Sequence, residues 1–413
     1  MRAIFQHVTK LMYVLAASSA ACAHPPDAPR GGGSGGGGIN AADLLIWRAD
    51  QVSAAARPVL DDHAVYFQSI DHVASAVDKL TGKLLWKVQL PVAGDRHGTG
   101  LALVAGHLIV GDRDVFALDP STGAVLWRFQ PTVGAIPGFQ RLSVDAATVY
   151  CGSGSGNVYA IDAASGAQRW AAAVVADTAA LVYNPIVSGG VVFVAYSSFR
   201  SPPLPGIGGV AAVDAATGRV LWTRLVPQPD PSLPTYNPDG VGVTADRVLV
   251  SSADGWLYAL DRATGATSAS IPRSIFETAP HAANSLEART IAVSGSVVLV
   301  GSTTATTVTA LAATDLHRLW IQSSVPVSPA IDSSATLGLG SPSDIVLDGE
   351  LGYVVGAATT FGVLQLSDGK LLWSIKRHTL RTDGLEQFLQ GPGVDLDRIY
   401  LGGVVESYAL KKR

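Results

Sequence analysis

Apolar residues along this chain arrive in short bursts. Residues 58–90 read PVL (58–60), AVYF (64–67), HVASAVD (72–78) and KLLWKVQL (83–90), divided by DDH and by Asp-, Thr- and Gly-bearing stretches. Short runs rich in Val, Leu, Tyr and Trp, bounded by turn formers, predict antiparallel strands. The scheme returns as LALVAG, HLIVGD, DVFALD and AVLWRF (101–129), then as RLSVDA, TVYCG, NVYAID and AQRWAA (141–172). No convincing amphipathic helix interrupts it.

The bursts belong to a repeat. AVDKLTGKLLW (76–86) recurs as ALDPSTGAVLW ending at Trp127, AIDAASGAQRW at Trp170 and AVDAATGRVLW at Trp222. Degraded copies are ALDRATGATSA, ending at Ala269 where Trp is expected, ALAATDLHRLW at Trp320, which has lost the Asp and Gly, and the shorter LQLSDGKLLW at Trp373. The last residues of successive copies lie 41 to 53 residues apart. Four strands per period of this length predict a β-propeller blade.

The motif residues have structural assignments. Gly82, Gly123, Gly166, Gly218, Gly265 and Gly369 stand where the third strand reverses into the fourth. Asp78, Asp119, Asp162, Asp214 and Asp261 are placed to accept hydrogen bonds from the turn amides. Trp86, Trp127, Trp170, Trp222, Trp320 and Trp373 offer flat surfaces to the next blade, and small Ala residues before each Asp allow close approach. A residue recurring with the fold period reads as an inter-blade staple before it reads as a redox or carboxylate site.

The C-terminal DRIYLGGVVESYALKKR (397–413) supplies a second and third strand and then stops. LLIWR (44–48) carries Trp47, 39 residues before Trp86, and supplies the missing fourth strand. The expected fold is therefore all-β: an eight-bladed propeller of four-stranded antiparallel blades over residues 40–413, its last blade closed by the N-terminal strand. That closure removes free strand edges.

In such a ring the turns joining first to second and third to fourth strands share one face, and here they are tight. The other face receives the long segments 197–208, 226–240, 272–289, 323–343 and 376–392. Elaboration of one face marks it as the expected binding face. Its candidate residues are Arg200, Tyr236, Asn237, Asp239, His281, Asn284, Glu287, Arg289, Arg377, His378, Arg381 and Glu386.

Composition narrows the partners. The 413 residues are 15% charged with a net charge of −4, and no basic stripe points to nucleic acid. Residues 1–22 read as an export segment: Arg2, His7 and Lys10 precede the apolar run 11–21. Two processing sites compete. Ser19-Ala20-Ala21-Cys22 is similar to a bacterial lipobox and would leave Cys22 lipidated; Ala21-Cys22-Ala23 is a small-x-small site with cleavage after Ala23. A Gly/Pro-rich flexible linker (23–39) follows. Cys151, in TVYCGS, is expected in the core.

The A-x-D-x-x-T-G-x-x-x-W repeat resembles that of the PQQ-like (pyrroloquinoline-quinone-like) propellers, over nearly the whole chain after the linker. With the lipoprotein signal and tether, it is most similar to the BamB-type lipoproteins. That resemblance implies a non-catalytic scaffold, monomeric, exported, anchored to the outer membrane through lipid alone, and binding protein partners such as barrel-assembly machinery. The resemblance implies no catalytic residue, cofactor or metal. The alternative is a PQQ-dependent dehydrogenase, which needs an apolar clamp, cations for the quinone carboxylates, usually Ca²⁺, and a carboxylate base. The chain lacks the adjacent-cysteine pair of the alcohol-oxidising quinoproteins and any haem-attachment C-x-x-C-H. A second alternative is a small-ligand or glycan binder using the funnel.

Overall fold

The computed structural model describes residues 41–92, 100–131, 141–177, 180–198, 207–226, 240–252, 255–277, 289–302, 307–323, 325–326, 336–337, 342–356, 360–376, 380 and 390–412. Eight four-stranded antiparallel sheets succeed one another along the chain. Blade 1 comprises Val59–Leu60, Ala64–Gln68, Val73–Asp78 and Leu84–Gln89. Blade 3 comprises Ser143–Asp145, Thr148–Gly152, Asn157–Asp162 and Gln168–Ala173, and blade 7 comprises Pro342–Asp348, Leu351–Gly356, Thr360–Gln365 and Leu371–Lys376.

Blade 8 mixes the two ends of the chain. Gly393–Val394, Arg398–Gly402 and Ser407–Lys411 are completed by Leu45–Ala49. Trp47 pairs with Ala409 and Arg48 with Tyr408. The expected eight-bladed ring and its closure are therefore present. Two features go beyond the sequence reading: a first strand at Gly393–Val394, and a small hairpin of Val325–Pro326 with Thr336–Leu337 between blades 6 and 7.

Burial follows from this arrangement. First strands of neighbouring blades touch one another, so they surround the axis. Second and third strands are buried almost throughout, as in Ala64–Gln68 and Val115–Leu118, because neighbouring blades cover both faces. Fourth strands are outermost and largely exposed. The core is a series of inter-blade layers. One brings Tyr150, Val158 and Trp170 of blade 3 against Val182, Val192 and Val213 of blade 4.

Each layer is stapled by tryptophan. Gly82 has φ +72°, and a Cβ there would lie 2.6 Å from Cδ2 of Trp47. Only glycine fits both the left-handed turn and the ring lying on it. The Trp47 indole N–H donates to Lys79 O at 3.1 Å. The same donation to the next blade's turn recurs from Trp86, Trp127, Trp170, Trp222 and Trp320. The turn itself is held by Asp78, whose Oδ1 accepts from Thr81 N at 2.8 Å and Thr81 Oγ1 at 2.6 Å. Asp119, Asp162, Asp214 and Asp261 act alike in their turns. Trp373 departs from the pattern: its indole nitrogen is buried with no hydrogen-bond partner. The adjoining turn of blade 8 is where the chain's two ends meet.

Candidate functional site

Of the sequence-derived candidates on the long-loop face, one lies in a described strand. Cys22, Arg200, Tyr236, Asn237, Asp239, His281, Asn284, Glu287, Arg377, His378, Arg381 and Glu386 lie outside the described residues. Arg289 opens the first strand of blade 6, Arg289–Ser294, with its backbone paired to Ser302.

A different cluster is brought together at the axis. On each second strand one residue sits directly opposite the first strand: Tyr66 faces Val59, Tyr150 faces Ser143, Tyr353 faces Val346 and Tyr400 faces Gly393. Two residues before those partners lie Arg57, Arg141, Asp344 and Gly391. They therefore occupy one repeat position, at one level, where the chain enters each first strand from the long-loop face. The same registers place Gly100 at this level in blade 2 and Gly240 in blade 5. Asn184 and Thr290 take the position in blades 4 and 6, so the layer carries two cations and one anion among glycines and neutral polar residues.

These charges meet. Asp344 has a fully buried side chain and accepts from Arg57 Nη2 at 2.8 Å on Oδ1 and 2.9 Å on Oδ2. Arg141 Nη2 also donates to its Oδ1. Backbone N–H groups complete the shell, Ile345 at 2.9 Å and Gly391 at 2.7 Å. Blades 3 and 7 stand diametrically opposite in a ring of eight, so the Arg141–Asp344 pair spans the axis. Arg57 and Gly391 draw in blades 1 and 8. A Cβ on Gly391 would lie 2.8 Å from Asp344 Oδ2, so glycine lets the carboxylate approach the backbone.

Electrostatics follow from burial and charge. Burial pushes the Asp344 carboxyl up, and the Arg141 and Arg57 guanidiniums overcome this and hold it at about 2. Arg57 is lowered from its ordinary value, first by burial, which attraction to Asp344 opposes, and then by repulsion from Arg141. The grip on Arg57 is incomplete. Both carboxylate oxygens use Nη2, and Nε is buried without a partner, an omission that costs about 1–3 kcal/mol.

The calcium-quinone site of the dehydrogenase alternative can be tested against these residues. The cations for its carboxylates are present. Asp344, however, receives five hydrogen bonds, which leaves no oxygen free to bind Ca²⁺. A carboxyl held at about 2 is also a weak base. Among the described residues no group of three or more His, Cys, Asp or Glu is arranged to hold a metal ion. The described mouth does not fit that group.

The family model described as outer membrane protein assembly factor BamB matches residues 37–128, 111–304 and 206–401. The chain belongs to that family. The BamB-family fold is shared by several solved structures. BamB from Moraxella catarrhalis superposes with TM-score 0.58 at 17% identity, covering 89% of this chain and 96% of that one. The quinohemoprotein alcohol dehydrogenase from Comamonas testosteroni superposes with TM-score 0.64 at 15% identity, covering 90% of this chain and 77% of that one. Curated relatives are enzymes: tetrathionate hydrolase of Acidithiobacillus ferrooxidans, 29% identical over 159 residues, and polyvinylalcohol dehydrogenase of Sphingopyxis sp., 29% identical over 177 residues. These matches take in 32% and 36% of this chain, and 31% and 25% of the relatives. This BamB-family propeller thus shares its fold with a solved BamB and with a quinohemoprotein dehydrogenase.

The axial cluster escaped the sequence reading because its members lie in unremarkable segments, AAARPVL, FQRLSV and SPSDIV. The available signal was charge at a single repeat position. That position is set by the register of each first strand, and strands as short as Val59–Leu60 and Ser143–Asp145 carry no periodicity that reveals it.

Proposed function

We propose that this chain is an exported, membrane-tethered BamB-like scaffold that binds protein partners through the loops of its long-loop face and assists outer-membrane β-barrel assembly. The observation that carries the reading is the axial layer. Its carboxylate is consumed by Arg57, Arg141 and backbone amides, so the axis is tied across by the chain's own charges. Recognition then falls to the segments around the mouth. Family membership supports the reading, as does Cys22, the proposed lipid anchor ahead of a flexible linker. Localisation at the periplasmic side of the outer membrane and a monomeric ring belong to the same proposal.

A second reading is a PQQ-dependent dehydrogenase. More of the named likenesses are enzymes than scaffolds, which favours it. It would need a base and calcium ligands from outside the described residues.

Site-specific photo-crosslinkers test the first reading. Placed at Tyr236 or Glu386 they are expected to capture a barrel-assembly component in cell envelopes, while Leu80, exposed on the tight-turn face, captures none. No capture from the long-loop face, or equal capture from Leu80, would refute the scaffold.

A further inference from the structure

We propose that the axial layer holds a binding site for a compact oxyanion, the chemistry shared by a carboxylate and a phosphate group, seated against Arg57 and Arg141 with Asp344 left in place. The proposal starts from the same axial cluster that the scaffold reading uses to tie the axis, and its test, anion binding by the purified chain, is distinct from partner capture by the loops.

Charge comes first. Two guanidiniums share one carboxylate, so the cluster carries one positive charge with no counter-ion among the described residues. Asp344 is wholly buried, while the Arg57 and Arg141 side chains keep 35% and 43% of their surface exposed. The surplus charge is therefore partly open to solvent. No other ion pair of Arg57 or Arg141 occurs among the described residues.

Donor geometry comes second. A guanidinium can clamp a carboxylate with two nitrogens in parallel, the geometry usual for strong pairs. Neither arginine does so here. Arg57 engages Asp344 and Ile345 O through Nη2 alone, and Arg141 engages Asp344 through Nη2 alone. Nε and Nη1 of both arginines make no hydrogen bond among the described residues, and Nε of Arg57 is already shielded from water. Two half-used forks converging on one point are a preorganised acceptor for a ligand with several oxygens. An anion there would also relieve the repulsion between the two cations.

Space comes third. Gly100 and Gly240 stand at this level in blades 2 and 5 and put no side chain into the layer, Asn184 and Thr290 stand there in blades 4 and 6, and the room over Gly391 is taken by Asp344 and Val346. The layer is thus cationic on the blade 1 and blade 3 sides.

Inorganic phosphate is the probe, titrated into the purified full chain at constant ionic strength with NaCl as the balancing salt. Ligand binding to the folded state raises the midpoint of thermal unfolding in a saturable way. The expected result is such a rise for the wild type, and at least a tenfold weaker phosphate affinity by calorimetry for Arg141→Ala. Arg141→Ala is the informative variant because its side chain is half-exposed and leaves the Arg57–Asp344 pair intact. Arg169→Ala, an arginine paired with Asp162 in the blade 3 turn, serves as a control and should keep wild-type affinity. An acetate series at the same ionic strength divides the class: a rise with both anions assigns carboxylates as well as phosphate, and a rise with phosphate alone assigns phosphate. No saturable rise with phosphate, or equal affinity in wild type and Arg141→Ala, would overturn the site.

Discussion

Ala269 and Leu316 exchange volume across the seam between blades 5 and 6. Ala269 occupies the fourth-strand position that holds Trp in the neighbouring blades, opposite Ala259 as Trp222 is opposite Ala212. Leu316 occupies the turn position that holds Gly elsewhere: its N–H donates to Ala312 O as Gly82 N–H donates to Asp78 O. It keeps the left-handed conformation, φ +63°, and lies 5% exposed in a cluster with Leu249, Ile271 and Ala269. Where the ring is missing, the turn supplies the side chain that fills its place.

The exchange predicts strong coupling. Restoring Trp alone, Ala269→Trp, should overpack the seam and cost about 1–3 kcal/mol, as core insertions do. Leu316→Gly alone should open a cavity and cost about 2–4 kcal/mol, less what relief of the left-handed strain returns. The double variant rebuilds the standard staple and should be more stable than the two separate losses sum to. Urea unfolding of the four proteins gives the coupling energy, and additivity within about 0.5 kcal/mol would show that the two sites are independent.

The indole bonds predict a difference between two otherwise similar rings. Trp320 donates to Leu366 O at 2.8 Å, whereas the Trp373 nitrogen has no partner. Trp320→Phe should therefore cost about 1 kcal/mol more than Trp373→Phe, the net worth of one hydrogen bond. Equal losses in denaturant would mean that the donor contributes nothing to the seam.

Asp344 makes the ring acid-sensitive in a defined window. Its folded value, about 2, lies below the ordinary carboxylate value of 3.8. A depressed acid contributes stability that is fully present above the ordinary value and is lost as pH falls toward the folded one. The contribution is on the order of 2 kcal/mol. Asp344→Asn should be destabilised by about 3–5 kcal/mol at pH 7, because two guanidiniums lose their partner. The gap between wild type and variant should narrow from pH 5 to pH 2. Asp78, Asp119, Asp214 and Asp261 are also held below the usual range, first by hydrogen bonds from their turn hydroxyls, so the variant keeps some acid dependence. A gap that stays constant over that window would contradict the assignment.

Cys151 should be chemically silent. It is 1% exposed, and burial alone pushes its thiol up to about 12. In a Cys22→Ser chain, Ellman's reagent at pH 8 should react at the rate of unfolding, and faster modification in buffer would place the thiol outside the core.

The sequence and the structure agree on what repeats and diverge on what does not. Trp47, Asp78 and Gly82 were legible because the same physical job recurs in blade after blade at near-constant spacing. The closure of blade 8 was legible for the same reason, since a missing fourth strand at one end matched a spare Trp at the other. Ala269 and Leu316 were visible as losses from the motif, but their complementarity appears only when the turn is laid on the neighbouring strand. Arg57, Arg141 and Asp344 were hidden because they meet through the ring and not along the chain. Two of their first strands, Val59–Leu60 and Ser143–Asp145, are only two and three residues long and offer no periodicity to align.

The central functional claim is that the axis is tied by Arg57, Asp344 and Arg141, leaving the loops to act. Dye-linked oxidation of alcohols by the purified chain, supplied with pyrroloquinoline quinone and Ca²⁺, tests it most directly. The account predicts no turnover above a protein-free blank; turnover by the wild-type chain that disappears in Arg57→Ala or Asp344→Ala would contradict it.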